Sequence, residues 1–353
     1  MALSAVDSIT PALEHTREQL FRPFRIGQWT RLAFVGLLAG ELGVHGCNRS
    51  NFQFPAHPGV TPHIHFPGSL GVDYPLLIAL MASALVAGFA IGIIIMYISS
   101  VMRFVLFDGV VTRECHIRQE WNRRIGEGWR YFVWRLGYLL LSLAAVVIVL
   151  GIPAALAYFV GWFREPKEHL AGLIFAGGLL AILLLAFAIA TAVVLVLTKD
   201  FVVPQMALEN IDAMEGWRRL WLMMKPELGS YAAYIVMKIV LAIVTGILMA
   251  VATLILGLIM VVPSIGIGIL AVITGKTAGL TWNVHTIALA VAIGCVLLAT
   301  FLYLASLIYV PAIVFFPAYS IYFFAARYPR LAAVMYGSPA SAIPRGIASA
   351  QRP

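Results

Sequence analysis

Residues 170–198 read LAGLIFAGGLLAILLLAFAIATAVVLVLT, a stretch without a single charged side chain. As a helix it would extend about 43 Å, well beyond the roughly 30 Å of bilayer hydrocarbon. Inside lipid the backbone must satisfy its own hydrogen bonds, so a helix is the form this stretch takes. Comparable runs extend from Tyr74 to Met102, Trp134 to Phe163, Tyr231 to Val262 and His285 to Phe316. A weaker one, Trp29 to Gly43, is short for a straight crossing and reads as a thin or re-entrant first span. The whole chain of 353 residues is 61% hydrophobic and 11% charged, against about 45–50% and 25% in soluble domains. A disordered tail is therefore excluded, and the composition speaks against a water-soluble globule. The expected fold is all-α: a polytopic transmembrane helix bundle of about six spans.

The formal net charge is +8, and basic residues are retained on the cytoplasmic side of a membrane. If Trp29 to Gly43 crosses, Arg17, Arg22, Arg25 and Arg31 share a side with the arginines from Arg103 to Arg135. Lys199, Arg218, Arg219 and Lys225 join them, as does everything basic from Arg327 onward. Only Arg49, Arg164, Lys167 and Lys276 fall opposite, while Lys238 snorkels from within a span. This sorting predicts an inner-membrane protein with both termini in the cytoplasm. The partner implied by its positive face is anionic lipid headgroups rather than nucleic acid. The first residues lack a continuous apolar core, so no cleaved signal peptide is expected.

Three segments beside the inner face carry amphipathic patterns that predict interfacial helices. Ile9, Leu13, Thr16 and Leu20 form the first stripe, and Ile117, Trp121, Ile125 and Trp129 the second. The third comprises Ile211, Met214, Trp217, Trp221 and Met224. Tryptophan beside arginine suits the headgroup zone, where the indole is half buried and the guanidinium meets phosphate. Trp121, Trp129, Arg130, Trp217, Arg218 and Trp221 are accordingly the candidate membrane-interface residues.

Glu127-Gly128-Trp129-Arg130 returns unchanged as Glu215-Gly216-Trp217-Arg218, with a looser echo at Gly27-Gln28-Trp29. The span ends also echo one another, in Phe107-Asp108-Gly109-Val110-Val111, Asp200-Phe201-Val202-Val203-Pro204 and Val314-Phe315-Phe316-Pro317. The chain thus reads as three hairpin repeats within one transmembrane domain over residues 1–330, with units at about 4–107, 108–200 and 201–327 and a flexible cytoplasmic tail over 331–353. With the opening Phe21-Arg22-Pro23-Phe24, these motifs resemble a prokaryotic family of integral membrane proteins related to the membrane domain found beside some glycerophosphodiester phosphodiesterases. The resemblance implies a helical membrane core. It lends no enzyme activity, because the soluble catalytic barrel of those enzymes has no room in this chain.

Other residues invite chemistry and supply little. Cys47, Cys115 and Cys295 are an odd number in three different environments, so no disulfide framework is expected. His63 and His65 would share one side of an extended segment, yet Pro55, Pro58, Pro62 and Pro67 read as a solvated rigid loop, and no metal or cofactor is expected. Glu41, Lys238 and His285 sit near span ends and read as interface anchors, leaving no charged pair in the core. Ala84, Gly88 and Gly92 offer a close helix approach. Gly257, Pro263, Gly266 and Gly268 interrupt the fifth apolar region, which predicts either a re-entrant turn over 263–279 or a span ending near Val262. Asp108 and Asp200 recur at span ends and are read as helix caps or arginine partners. Phosphate loops, nucleophile elbows and zinc-protease motifs are missing. The leading expectation is a non-enzymatic membrane-organising protein that binds lipid or a partner, with a protein partner or a homo-oligomer left open. A small-molecule transporter or channel is the alternative, and a lipid-modifying enzyme a weaker one.

Overall fold

The computed structural model describes residues 4–41, 74–162, 169–277 and 284–336. All regular structure among them is helical. The elements are α1 (Ile9–Phe21), α2 (Ile26–Ala39), α3 (Tyr74–Val111), α4 (Ile117–Val160) and α5 (Leu170–Leu197). A π turn (Thr198–Val202) joins α5 to α6 (Val203–Glu209). Then come α7 (Ala213–Met224), a 3-10 turn (Lys225–Glu227), α8 (Leu228–Thr277), α9 (Val284–Ile308), α10 (Val310–Ala325) and α11 (Pro329–Tyr336). Among the described residues, five stretches are long and apolar enough to cross a membrane: α3, α4, α5 with its continuation, α7–α8 and α9–α10.

The buried core lies at one end of this bundle. It is built from α1, α2, the last third of α3, the start of α4, the π turn, α6, α7, the start of α8, and α10 with α11. Phe201, Tyr231, Tyr234, Phe323 and Phe324 form its aromatic centre, with ring centroids 4.6 to 5.9 Å apart. Toward the other end the same helices present leucine, isoleucine and valine outward, as Leu183, Ile243 and Leu289 do. Such a surface persists only where acyl chains cover it. Arg103, Arg113, Arg124, Arg135, Lys199, Arg219 and Arg327 all lie in or around the packed part, which is therefore the basic end.

α2 departs from the expectation of a first crossing. Its 14 residues rise about 21 Å, less than a bilayer core. Its last carbonyl, Ala39 O, meets Ser99 and Arg103 far along α3 from Tyr74. α2 packs within the basic end instead of running beside the apolar half of α3. The second predicted interfacial segment is likewise no separate helix, because residues 117–130 run straight into the span as the first turns of α4. Nothing between Trp121 and Trp134 forces a break, so the helix simply continues. α7 is separate from α8 by one 3-10 turn at Lys225-Pro226-Glu227. Pro263 does not interrupt α8, which continues to Thr277. A re-entrant turn beginning there is thereby overturned: lipid leaves the backbone no better option than helix, and α8 runs on through the proline. The predicted tail begins later than residue 331, since Leu331 is fully buried in α11. The segment bearing His45, His57, His63 and His65 lies outside the described residues.

α1 buries Thr16 and Leu20 of its predicted stripe and half-buries Ile9, but it turns Leu13 out and two polar residues in. Leu13 is 55% exposed, whereas His15 and Gln19 are buried. The reason is the end of α3, whose last carbonyls lack helical partners. Gln19 Nε2 donates to Gly109 O at 2.8 Å, and His15 Nε2 donates to Val110 O at 2.9 Å. His15 Nδ1 faces the Tyr322 hydroxyl at 3.3 Å. Burial lowers the His15 pKa from its ordinary 6.5, outweighing the raising effect of the Val110 bond, and Arg113 adds to the lowering. A group with a depressed folded-state value is neutral in the fold, so its contribution is complete above about pH 6.5 and is lost as the pH falls below. Thermal melts at pH 7.5 and 5.0 should therefore show an acid-induced loss of stability that is smaller in His15→Gln. An identical loss in the two proteins would remove His15 as its source.

The two Glu-Gly-Trp-Arg motifs pack by their glycines, against different partners. A Cβ on Gly128 would lie 2.6 Å from Val101 Cγ2 and 3.0 Å from its backbone Cα, and one on Gly216 would lie 2.7 Å from Val202 Cγ1. Gly88 and Gly92, by contrast, have nothing within 4 Å, so the small-residue stripe on α3 is not a packing seam among the described residues. Gly128→Ala should cost about 1–3 kcal/mol, because the α3–α4 crossing must open. Gly126→Ala, with nothing within 4 Å of its added carbon, should be neutral or gain up to about 1 kcal/mol of helix propensity. Unfolding of both variants in one detergent checks the contrast.

Candidate functional site: a cationic chamber at the head of the basic core

α2 ends where Gly40 takes a left-handed conformation (φ 80°), which a side chain would resist. The turn delivers Glu41 into the bundle, where it is 4% exposed and pairs with Lys199 of the π turn. The next residue, Asp200, pairs with Lys238 of α8 and accepts the Tyr234 hydroxyl at 2.9 Å. Two consecutive residues thus hold two separate buried ion pairs at a π turn, the irregularity in which helices commonly place functional groups. Thr198 in the same turn accepts the Trp217 indole N–H at 3.0 Å.

Two arginines complete the constellation. Arg103 of α3 donates to Ala39 O at 2.9 Å and to the Tyr131 hydroxyl at 3.3 Å. Arg135 of α4 donates to Ser99 Oγ at 3.2 Å. Among the described residues neither arginine has a carboxylate partner. Glu41 Oε1 and Arg103 Nε are buried and make no hydrogen bond. A cavity of about 190 Å³ opens among these groups, lined by Arg103, Arg135, Lys199, Lys238 and Tyr131, with Ala39, Gly40, Leu195, Val196 and Phe316 as its apolar walls. A smaller void of about 30 Å³ lies behind it against Glu41 and Asp200. Four cations and two carboxylates leave two positive charges in excess, in surroundings where water screens them weakly.

Glu41 and Lys238, expected as separate edge anchors, are therefore corrected to members of one buried network. Asp108 does pair with an arginine: Arg124 grips both its carboxylate oxygens, at 2.6 and 2.7 Å. Asp108 and Asp200 are engaged in separate ion pairs and share no cleft, which leaves them nothing to do as an acid–base couple. Among the described residues no group of three His, Cys, Asp or Glu side chains converges as a metal site would need. Cys115 is buried beneath Gly109, and that burial pushes its thiol up to about 12, far from reactive thiolate.

The tryptophan and arginine candidates lie around the outside of the same end. Trp129 is 55% exposed and packs with Phe132 against Tyr97, which Trp121 also touches. Arg130 reaches Asn210 O at 2.8 Å and Asp212 at 3.4 Å. Arg218 is exposed beside Glu215, Trp221 is exposed, and Trp217 is half buried through its bond to Thr198. None of the six reaches the chamber wall. The signal that could have found the chamber is the pair Lys199-Asp200, two opposite charges at the foot of the most apolar run in the chain.

No curated protein and no solved structure matches the sequence, and nothing connects it to the membrane domain of the glycerophosphodiester phosphodiesterases. One family model covers nearly the whole chain, residues 3–334, and by that match the protein belongs to the family of unknown function DUF7544.

Proposed function

We propose that the protein is a non-enzymatic lipid-binding protein of the cytoplasmic membrane, and that it holds the phosphate of an anionic headgroup in the cationic chamber. One observation carries the reading: four basic side chains face a cavity at the level where the lipid-facing stretches give way to the packed core. Arginine forks and lysine ammonium groups are the standard protein partners of phosphate oxygens. Basic residues crowd the chamber end, which supports a cytoplasmic position for it. The Tyr319 hydroxyl donates to Ala5 O at 3.0 Å, so the start of the chain and its last span meet at that end. This supports α1 and the end of α10 lying on one side of the membrane, with residues 42–73 between α2 and α3 outside the described residues. The exposed Trp129, Trp221, Arg130 and Arg218 then lie near headgroups around the rim.

The test is lipid binding to the full-length protein by native mass spectrometry, with phosphatidylglycerol compared against phosphatidylcholine. Phosphatidylglycerol should bind in preference, and Arg135→Gln should weaken it about tenfold, or ~1.4 kcal/mol. Equal binding of the two lipids, or an unaffected Arg135→Gln, would refute the proposal.

A further inference from the structure

Resting on that reading, we infer that the chamber selects a lipid whose headgroup is a bare phosphomonoester, with its acyl chains lying against the apolar stretches of α5 and α8. Charge comes first. Arg103, Arg135, Lys199 and Lys238 exceed Glu41 and Asp200 by two positive charges, and a phosphomonoester carries close to two negative ones at neutral pH and above. A phosphodiester headgroup carries one and leaves the site a charge short.

The walls give a second, independent reason. Apart from the cations and the Tyr131 hydroxyl, the cavity meets only Ala39, Gly40, Leu195, Val196 and Phe316. A glycerol, serine or ethanolamine substituent would find no polar side chain there to replace its water, and burying such groups unpaired is costly. An ammonium group would also sit among four cations, because the nearby carboxylates, Glu41 and Asp200, are paired with Lys199 and Lys238 and do not line this cavity. The walls therefore exclude zwitterionic lipids and disfavour substituted anionic ones.

The surroundings indicate a lipid source rather than free phosphate. Leu195, at the cavity wall, is 37% exposed, and beyond it along α5 stand Ile189 and Leu185, both open. Ile239, Val240 and Ile243 do the same beyond Lys238 on α8. α5 packs chiefly on α4, leaving its remaining surface to lipid. A lipid of the inner leaflet has the matching geometry, with its phosphate at the boundary and its chains running toward the bilayer centre.

The experiment measures binding of phosphatidic acid and phosphatidylglycerol to the full-length protein in phosphatidylcholine nanodiscs at pH 8. Phosphatidic acid should bind at least tenfold more tightly, and the preference should fall below about twofold in Arg103→Gln and in Arg135→Gln. Arg135→Lys, which keeps the charge without the planar fork, should retain part of it and so separates charge loss from misfolding. Equal affinities for the two lipids would overturn the monoester selectivity while leaving anionic-lipid binding intact; no binding of either would refute the underlying reading. Inorganic phosphate at 10 mM should fail to displace bound phosphatidic acid, and displacement would overturn the lipid source.

Discussion

Asp108→Ala should lower the unfolding free energy by about 3–5 kcal/mol, the scale of removing one member of a buried ion pair. Arg124 is only 6% exposed at its side chain. Asp108 takes two of its donors, and a third goes to Ala207 O at 2.7 Å. The guanidinium thereby ties the end of α3 and the start of α4 to α6. Without Asp108 the only remaining carboxylate contact among the described residues is Glu127 at 3.4 Å, so a permanently charged group stays buried with a poor partner. The cost comes from that stranded charge more than from the bond itself. The double variant Asp108→Leu, Arg124→Met should accordingly recover much of the loss, as apolar replacements of buried pairs do. Unfolding of the two single variants and the double variant in one detergent measures the coupling. A double variant as unstable as Asp108→Ala would show that the pair's geometry, and not its isolation, is what matters.

The parts of this molecule legible in the sequence are those set by local hydropathy. The run from Leu170 to Thr198 becomes a helix because lipid leaves its backbone no alternative, and the other four long runs follow the same rule. Asp108 was legible as an arginine partner because Arg118, Arg123 and Arg124 follow it closely in the chain, Arg124 being 16 residues on. The chamber was not, for a physical reason: its pairs join residues remote along the chain, with Glu41 and Lys199 separated by 158 positions. A window that weighs each charge by its neighbours sees Glu41 as a span-end anchor. The fold sees a carboxylate delivered by Gly40 into a buried network.

α1 illustrates the same limit. Its apolar stripe predicted a face containing Leu13, and Thr16 and Leu20 of that stripe are buried; but two carbonyls at the end of α3, at about 1–3 kcal/mol each if left unpaired, together outweigh the ~1.5–3 kcal/mol of burying one leucine and draw His15 and Gln19 inward. The recurrence of Glu-Gly-Trp-Arg marks two close helix approaches, at Gly128 and Gly216. Their contacts are with Val101 and Val202, which do not occupy matching places in the two motifs, so the recurrence by itself does not specify the packing.

Asp200→Asn should be as costly as the loss of Asp108, about 3–5 kcal/mol in phosphatidylcholine, yet it should respond differently to lipid. Asparagine keeps the shape and can still accept the Tyr234 hydroxyl, but Lys238, 12% exposed at its side chain, loses its carboxylate. The chamber then holds three excess positive charges instead of two. An anion bound there replaces part of the missing charge, and binding to the folded state alone adds stability by mass action, about 2.7 kcal/mol at a hundredfold excess over Kd. Because the more positive chamber should bind an anion more tightly, the deficit of Asp200→Asn relative to the parent protein should shrink when phosphatidic acid is added to the nanodiscs. Asp108 lies outside the cavity wall, so the deficit of Asp108→Ala should stay constant under the same addition. Thermal unfolding of the three proteins in the two lipid mixtures makes the comparison. Equal rescue of the two variants would mean that lipid stabilises the apolar helices generally and that the chamber takes no part; rescue confined to Asp200→Asn would place the anion beside Lys238.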